Sequence, residues 1–227
     1  MKDPYCYPNG VLRNKLGITE QSELDKAEVD FSCLALHELA MNPLEGNYDF
    51  AHYCAFHERV FRDVYEWAGQ PRIISTEKAE KALGTMSVEY AQPENIATEA
   101  EEILSRMNGR EWNKMPLDEQ TKTLSKDMAD LWKVHAFREG NTRTTVSFVC
   151  QFAESRGVAI EAELFAKNSE YMRKALVVAS ARYSDVDLSD SSYLERIVKD
   201  GLERGRNREQ AKEKPKAAKR KTDIDRE

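Results

Sequence analysis

The segment HAFREGNTRTTV, residues 135–146, joins two stretches of helical periodicity. On each side of it, apolar side chains recur every three or four residues, which places them on one face of a helix. These apolar positions are Leu124, Met128, Leu131 and Trp132 before the segment, and Val146, Val149, Cys150 and Ala153 after it. The pattern predicts a loop held rigidly between two helices that pack on the same core.

This loop concentrates residue types that serve phosphoryl chemistry. His135 can act as a general base near neutral pH, and Glu139 offers the kind of carboxylate that Mg²⁺ prefers. Gly140 and Asn141 begin the second helix, where unpaired backbone N–H groups favour an anion, and Arg143 can pair with a phosphate oxygen. Together they predict a phosphate-handling site. Each feature alone also fits an ordinary helix cap or turn, so the residues by themselves leave both interpretations open.

The rest of the chain is predicted to form one helical domain with a single β-hairpin. Periodicity predicts helices over residues 20–41, 49–67, 93–108, 117–134, 144–156, 161–184 and 191–203. Extended stretches at residues 72–75 and 87–90, with Gly84 between them, predict the hairpin. Residues 204–227 contain one large apolar side chain, Ile224, and are predicted to be a basic, disordered tail.

The central segment resembles the signature of Fic-domain proteins, His-x-Phe-x-(Asp/Glu)-Gly-Asn-Gly-Arg-x-x-Arg. The stretches DPYCYPNGVLRNKLGI (residues 3–18) and FHERVFRDVYEWAGQPR (residues 56–72) also resemble bacterial Fic proteins, and the likeness covers roughly residues 3–200. It implies an all-α, Fic-type helical domain over residues 1–203. In that fold a β-hairpin flap, here about residues 76–91, lies over an active-site loop and helix, here residues 135–156.

The resemblance implies an enzyme, a protein adenylyltransferase that uses Mg²⁺ and transfers AMP from ATP to a Tyr, Thr or Ser hydroxyl of a target protein. In that activity His135 would remove the hydroxyl proton, Glu139 would hold Mg²⁺ and Phe137 would anchor the loop. The residues implied in phosphate binding are Gly140, Asn141, Thr142 and Arg143. The residues of the flap implied in pairing with the target are Ser87, Val88, Glu89 and Tyr90.

Two positions depart from the Fic signature. Thr142 replaces its second glycine, and Val146 replaces its last arginine, which in the family orients the γ-phosphate. Arg138 is the one cation near Val146 in sequence that could substitute. The departures leave two alternatives open: a Fic enzyme that transfers another nucleotide or a phosphate group, and a catalytically degenerate Fic scaffold that acts as a binding module.

Many Fic proteins are inhibited by the glutamate of a (Ser/Thr)-x-x-x-Glu-(Gly/Asn) motif. Glutamate precedes Gly or Asn at positions 45, 94 and 139, and none of the three has Ser or Thr four residues earlier. The resemblance then implies a small antitoxin that supplies the glutamate in trans, or a protein without this regulation. It also implies the toxin of a toxin–antitoxin pair or a secreted effector.

Composition limits the compartment and the partners. Charges interrupt every long apolar stretch, and the N-terminus lacks the apolar run of a signal peptide, which predicts a cytoplasmic protein without a membrane span. The resemblance to bacterial Fic proteins implies a bacterial cytoplasm, or secretion into a host cell as an effector. Residues 1–203 carry 24 Lys/Arg against 35 Asp/Glu, a balance that disfavours nucleic acid as a partner. The four cysteines form no CxxC pair, and Cys33, Cys54 and Cys150 are predicted to be small buried side chains.

Overall fold

The computed structural model describes the backbone of residues 3–224 and the side chains of residues 3–211. Its α-helices are α1 Gln21–Met41, α2 Phe50–Phe61, α3 Ile96–Asn108, α4 Leu117–Val134, α5 Asn141–Ser155, α6 Ala162–Lys167, α7 Ser169–Ala179 and α8 Ser192–Ile224. Single turns of 3-10 helix lie at Lys81–Leu83, Pro93–Asn95 and Trp112–Lys114. Residues 3–224 contain no β-strand, only isolated bridges between Cys6 and Leu12 and between Arg182 and Asp187. The predicted all-α class is confirmed.

Helix α4 lies at the centre of one hydrophobic core and packs against α3, α5, α7 and α8. Its predicted apolar face is buried, with Leu124, Met128 and Leu131 fully inaccessible and Trp132 1% exposed. Helix α5 contributes Phe148 and Val149 to the same core. Since both helices are packed in this way, the loop between them has fixed ends.

Two predicted helices are shorter in the structure. The second ends at Phe61 and continues as turns, in which the rings of Tyr65 and Trp67 stack with centroids 4.3 Å apart. The helix predicted over residues 161–184 is divided at Asn168, whose side chain donates to the carbonyl of Leu164 at 2.8 Å. An Asn side chain that bonds to nearby backbone competes with a continuous helix at this point.

The predicted β-hairpin does not form as two paired strands. Residues 75–80 and 84–92 instead run without regular structure on either side of the 3-10 turn Lys81–Leu83. Side chains bond to backbone groups in and beside the predicted strands. The Arg72 guanidinium donates to the carbonyls of Ile74, at 2.7 Å, and Ala91, and Ser87 Oγ accepts from the N–H of Lys78 at 3.0 Å. Residues 76–91 form a loop and not a hairpin, and this loop is called the flap below.

Helix α8 runs through the boundary predicted at residue 203. At Gly205 the helix approaches its neighbour so closely that a Cβ would lie 2.5 Å from the backbone nitrogen of Ile160. Arg206 donates to Gln120 at 2.7 Å, and Arg208 donates to the carbonyl of Ile160 at 3.3 Å. The structure therefore differs from the predicted tail at these residues, whereas residues 225–227 and the side chains from 212 onward lie outside the described residues.

The structure bears on two expectations drawn from the sequence, the burial of the cysteines and the membrane-spanning helices. The four cysteines are free thiols. Cys150 is buried as predicted and Cys54 is half-buried, but the prediction for Cys33 is wrong, because this residue is exposed on α1. Among residues 3–224, no helix has both the length and the apolar composition required to cross a bilayer.

Candidate active site

A cavity of about 570 Å³ lies between α1, α5, α6, α7 and the flap. Residues of the predicted loop line it, namely His135, Glu139, Gly140, Asn141, Thr142 and Arg143. Apolar side chains from α1, α6 and α7 line it as well, among them Leu36, Phe165 and Met172. A cavity of this size with both charged and apolar lining residues can hold a small molecule that has a charged end and an apolar end.

His135 ends α4 in the left-handed conformation, with φ of 50°, and its ring is covered by two aromatic side chains. Tyr90 of the flap stacks on it with centroids 3.9 Å apart, and Trp132 meets it edge to face at 5.3 Å. Both ring nitrogens are buried and have no hydrogen-bond partner among the described residues. A hydroxyl can therefore reach a ring nitrogen only after the side chains that bury it rearrange.

The surroundings of His135 favour the neutral imidazole. Burial, reinforced by the charges of Lys78 and Arg72, holds the pKa of His135 well below its usual value. Arg72 also fixes the backbone here, since its Nε donates to the carbonyl of His135 at 2.8 Å. A neutral imidazole in a fixed position is the form that can accept a proton at neutral pH.

Glu139 lies between the N-terminus of α5 and the flap. Its Oε1 accepts from the N–H of Gly140 at 3.0 Å, and its Oε2 pairs with Nζ of Lys78 at 3.2 Å. Burial alone would raise the pKa of this carboxyl, but the charge of Lys78 and the bond from Gly140 outweigh burial and lower it. Glu139 is therefore an ionised carboxylate in the wall of the cavity.

Gly140 brings the start of α5 against α2. Its φ is +81°, and a Cβ at this position would lie 2.3 Å from Cζ of Phe61, a fully buried ring. The residue therefore satisfies both conditions that favour glycine, a left-handed backbone and a close approach.

Replacement of Gly140 by alanine should destabilise the fold by about 2–4 kcal/mol, because it combines overpacking with a disfavoured backbone conformation. The matched control is Gly157→Ala, since Gly157 has a φ of +72° but no atom within 4 Å of its added Cβ. Thermal unfolding of both variants tests the argument. Equal losses of melting temperature would show that the contact with Phe61 is unimportant.

Three side chains make contacts that stabilise the loop, namely those of Phe137, Asn141 and Thr142. Asn141 is buried, accepts from the N–H of Phe137 at 2.9 Å and donates to its carbonyl at 2.7 Å. Phe137 is fully buried and stacks on His57 at 3.8 Å. Thr142 Oγ1 accepts from the indole N–H of Trp132 at 2.9 Å. At Asn141 and Thr142 the backbone N–H groups of the first helical turn are the donors that suit a phosphate.

Arg143 reaches from α5 to α1. Its guanidinium pairs with Glu28 and donates to Ser32 Oγ at 2.7 Å, and it lies over the ring of Phe61 at 5.0 Å. Tyr65 donates to the second oxygen of Glu28. Because Glu28 precedes the loop by more than a hundred residues and belongs to no motif, the sequence carries no signal of this pairing.

His57 is a further residue that sequence reasoning missed, although it lies in the stretch FHERVFRDVYEWAGQPR. Its Nδ1 accepts from the N–H of Gly69 at 2.8 Å, so its Nε2 carries the proton and donates to the carbonyl of Glu139 at 3.1 Å. Burial lowers the pKa of His57 to about 3. A neutral, fully buried histidine therefore supports the loop from α2.

This histidine predicts acid sensitivity of the fold. Between pH 3 and 6.5 the unfolded state binds a proton at His57 that the folded state does not, so stability falls as the pH drops below 6.5. At pH 5 the loss amounts to about 2 kcal/mol, or roughly 4–8 °C in melting temperature. His57→Gln should reduce the difference in melting temperature between pH 7 and pH 5 by that amount. An unchanged difference would contradict the assignment.

The four flap residues implied in target binding are anchored to the body. Val88 and Tyr90 are buried, the carbonyl of Ser87 accepts from the hydroxyl of Tyr183 at 3.1 Å, and the Glu89 carboxylate accepts from the N–H of residue 184 at 2.9 Å. The structure places Tyr90 against His135, and none of the four lines the cavity.

The fold and the site define an all-helical protein in which a histidine loop and the helix that follows it line a cavity of about 570 Å³. The Fic/DOC family model matches residues 47–153. The probable protein adenylyltransferase y4lH of Sinorhizobium fredii is 36% identical over 172 residues, which cover 71% of this chain and 80% of that protein. The chain belongs to the Fic/DOC family, as the signature indicated.

Two other matches extend the comparison. The protein adenylyltransferase VbhT of Bartonella schoenbuchensis is 32% identical over 160 residues, which cover 70% of this chain but 32% of VbhT. The structure of BepC, a translocated effector of Bartonella tribocorum with bound AMPPNP, aligns with a TM-score of 0.71 at 19% identity and covers 87% of this chain and 95% of that one. The structural match supports the fold.

Proposed function

We propose that the chain is a protein adenylyltransferase, which transfers AMP from ATP to a hydroxyl group of a target protein. The observation that carries the proposal is that His135, Glu139 and the first turn of α5 line one cavity. The activity named for the relatives y4lH and VbhT supports it.

In this reaction the hydroxyl oxygen of the target attacks the α-phosphorus of ATP, the bond to the β-phosphate breaks, and pyrophosphate leaves. His135 takes the hydroxyl proton on a ring nitrogen, which requires the side chains that bury the ring nitrogens to rearrange. The backbone N–H groups at the start of α5 and the Arg143 guanidinium bind the phosphate oxygens and stabilise their charge.

Mg²⁺ fits the donor chemistry of Glu139. Its carboxylate is ionised and already attracts one cation, the Lys78 ammonium at 3.2 Å. No group of three His, Cys, Asp or Glu side chains that could hold a metal exists among the described residues, so most ligands would come from the nucleotide and water, as is usual for Mg²⁺. Glu139 would hold the ion, which when bound neutralises phosphate charge.

The partners proposed for this activity are a target protein with a Tyr, Thr or Ser acceptor and a small antitoxin. The bacterial cytoplasm is the proposed compartment, or a host cell if the protein acts as an effector, as the neighbour BepC is described. An antitoxin would supply its inhibitory glutamate in trans. Glu28 does not belong to the inhibitory motif, but it already supplies a carboxylate to Arg143 within the chain.

Mass spectrometry of a cell lysate incubated with the protein, Mg²⁺ and each nucleotide tests the proposal. We expect target proteins to gain the mass of AMP with ATP, and to gain nothing with the matched variant His135→Asn. Binding of ATP without any adduct would contradict the proposal and support a binding scaffold.

Transfer of a different group is the second candidate function. Val146 favours it, because this apolar residue lines the cavity where the Fic signature has an arginine. A mass gain of phosphate or of another nucleotide in the same experiment would identify that activity.

A further inference from the structure

At Val146, where the Fic signature has the arginine that orients the γ-phosphate, α5 supplies no cation. Val146 is 9% exposed and belongs to the hydrophobic core. Arg138, the substitute that sequence proximity indicated, is bound to Asp3 through its Nε at 2.9 Å and its Nη2 at 2.7 Å. It does not line the cavity. The cation must therefore come from another element.

Among the described residues, the lysine and arginine side chains that line the cavity are Lys78, Arg143 and Arg173. Lys78 contacts Glu139, and Arg143 follows the same loop, so both lie where the α- and β-phosphates are proposed to bind. Arg173 is different, because it reaches the cavity from α7.

Arg173 has the geometry of a phosphate-binding arginine. Its two terminal nitrogens donate to the two carboxylate oxygens of Glu80 in the flap, at 3.0 and 2.8 Å. This paired contact has the same form as an arginine–phosphate contact. The side chain of Arg173 is 39% exposed, so a ligand in the cavity can reach it. Its charge also contributes to the lowered pKa of His135, which places it in the electrostatic surroundings of the loop.

We propose that Arg173 binds the terminal phosphate of the nucleotide in place of the arginine missing at Val146, and that this phosphate displaces the Glu80 carboxylate from the guanidinium. The proposal rests on the proposed function, since it assumes that a nucleoside triphosphate occupies the cavity. It assigns the specificity for ATP over ADP to α7 rather than to α5.

Titration of the protein with ATP and with ADP, each with Mg²⁺ and in EDTA, tests this assignment without requiring any transfer activity. The wild-type protein should bind ATP roughly ten- to a hundredfold more tightly than ADP, the range of one charge-assisted contact. Arg173→Gln should reduce this ratio to within about twofold and leave the affinity for ADP unchanged. Arg173→Lys, which keeps the charge but loses the fork, should give an intermediate ratio.

The matched control is Glu80→Gln, which breaks the same ion pair but keeps Arg173. It should retain the preference for ATP, as should Arg138→Gln. If Arg173→Gln and Glu80→Gln weaken ATP and ADP equally, the pair is structural and the inference is wrong. A wild-type ratio within twofold also overturns it. Failure to bind either nucleotide would overturn the proposed function as well, so the two failures are distinguishable.

Discussion

Replacement of His135 by alanine should slow AMP transfer by at least about a hundredfold, the usual contribution of a general base. The affinity for ATP should change little, because the base acts on the proton of the target hydroxyl and not on the phosphates. The assay is the rate of AMP incorporation into a target protein, with ATP binding measured on the same preparation.

The backbone of His135 requires a second variant. With a φ of 50°, alanine is strained there, whereas asparagine tolerates the left-handed conformation and cannot act as the base. His135→Asn should therefore lose as much activity as His135→Ala while unfolding at a higher temperature. Transfer at the wild-type rate by either variant would show that His135 is not the base.

Replacement of Glu139 by glutamine should remove Mg²⁺-dependent transfer. The amide keeps an oxygen that can accept from the N–H of Gly140 but loses the negative charge that attracts a cation. We expect the affinity for ATP to fall much more in the presence of Mg²⁺ than in EDTA. Calorimetric titration under the two conditions measures the difference.

Lys78→Met is the matched control for Glu139→Gln. It breaks the ion pair between the flap and the loop while it leaves the carboxylate in place. ATP binding by this variant should still respond to Mg²⁺. If Glu139→Gln weakens ATP equally with and without Mg²⁺, then Glu139 acts as a cap of α5 and not as a metal ligand.

The sequence was sufficient to predict the parts of the site that are local. The helices on both sides of the loop follow from apolar periodicity, and the faces predicted for α4 and α5 are the buried ones. The sequence also places Gly140 at the start of a helix, and the structure adds its positive φ and its close contact with Phe61.

The contacts between distant parts of the chain could not be predicted. Glu28 pairs with Arg143, and Arg72 holds the carbonyl of His135, because the fold brings together residues more than sixty positions apart. No periodicity or spacing records such a pairing. The hairpin prediction failed for a related reason: the Arg72 guanidinium binds the carbonyl of Ile74, in the first predicted strand, and that of Ala91, next to the second.

The ion pairs of the cavity have a consequence for the dependence of nucleotide binding on ionic strength. Lys78, Arg143 and Arg173 each hold a carboxylate of the protein, so an incoming phosphate exchanges with an anion that is already present. Added salt screens the attraction for the nucleotide, but it also screens the internal pairs that compete with it. The affinity for ATP should therefore decrease less steeply with salt concentration than in a site of three unpaired cations. In this cavity, carboxylates of the protein already serve as the counterions of the three cationic side chains.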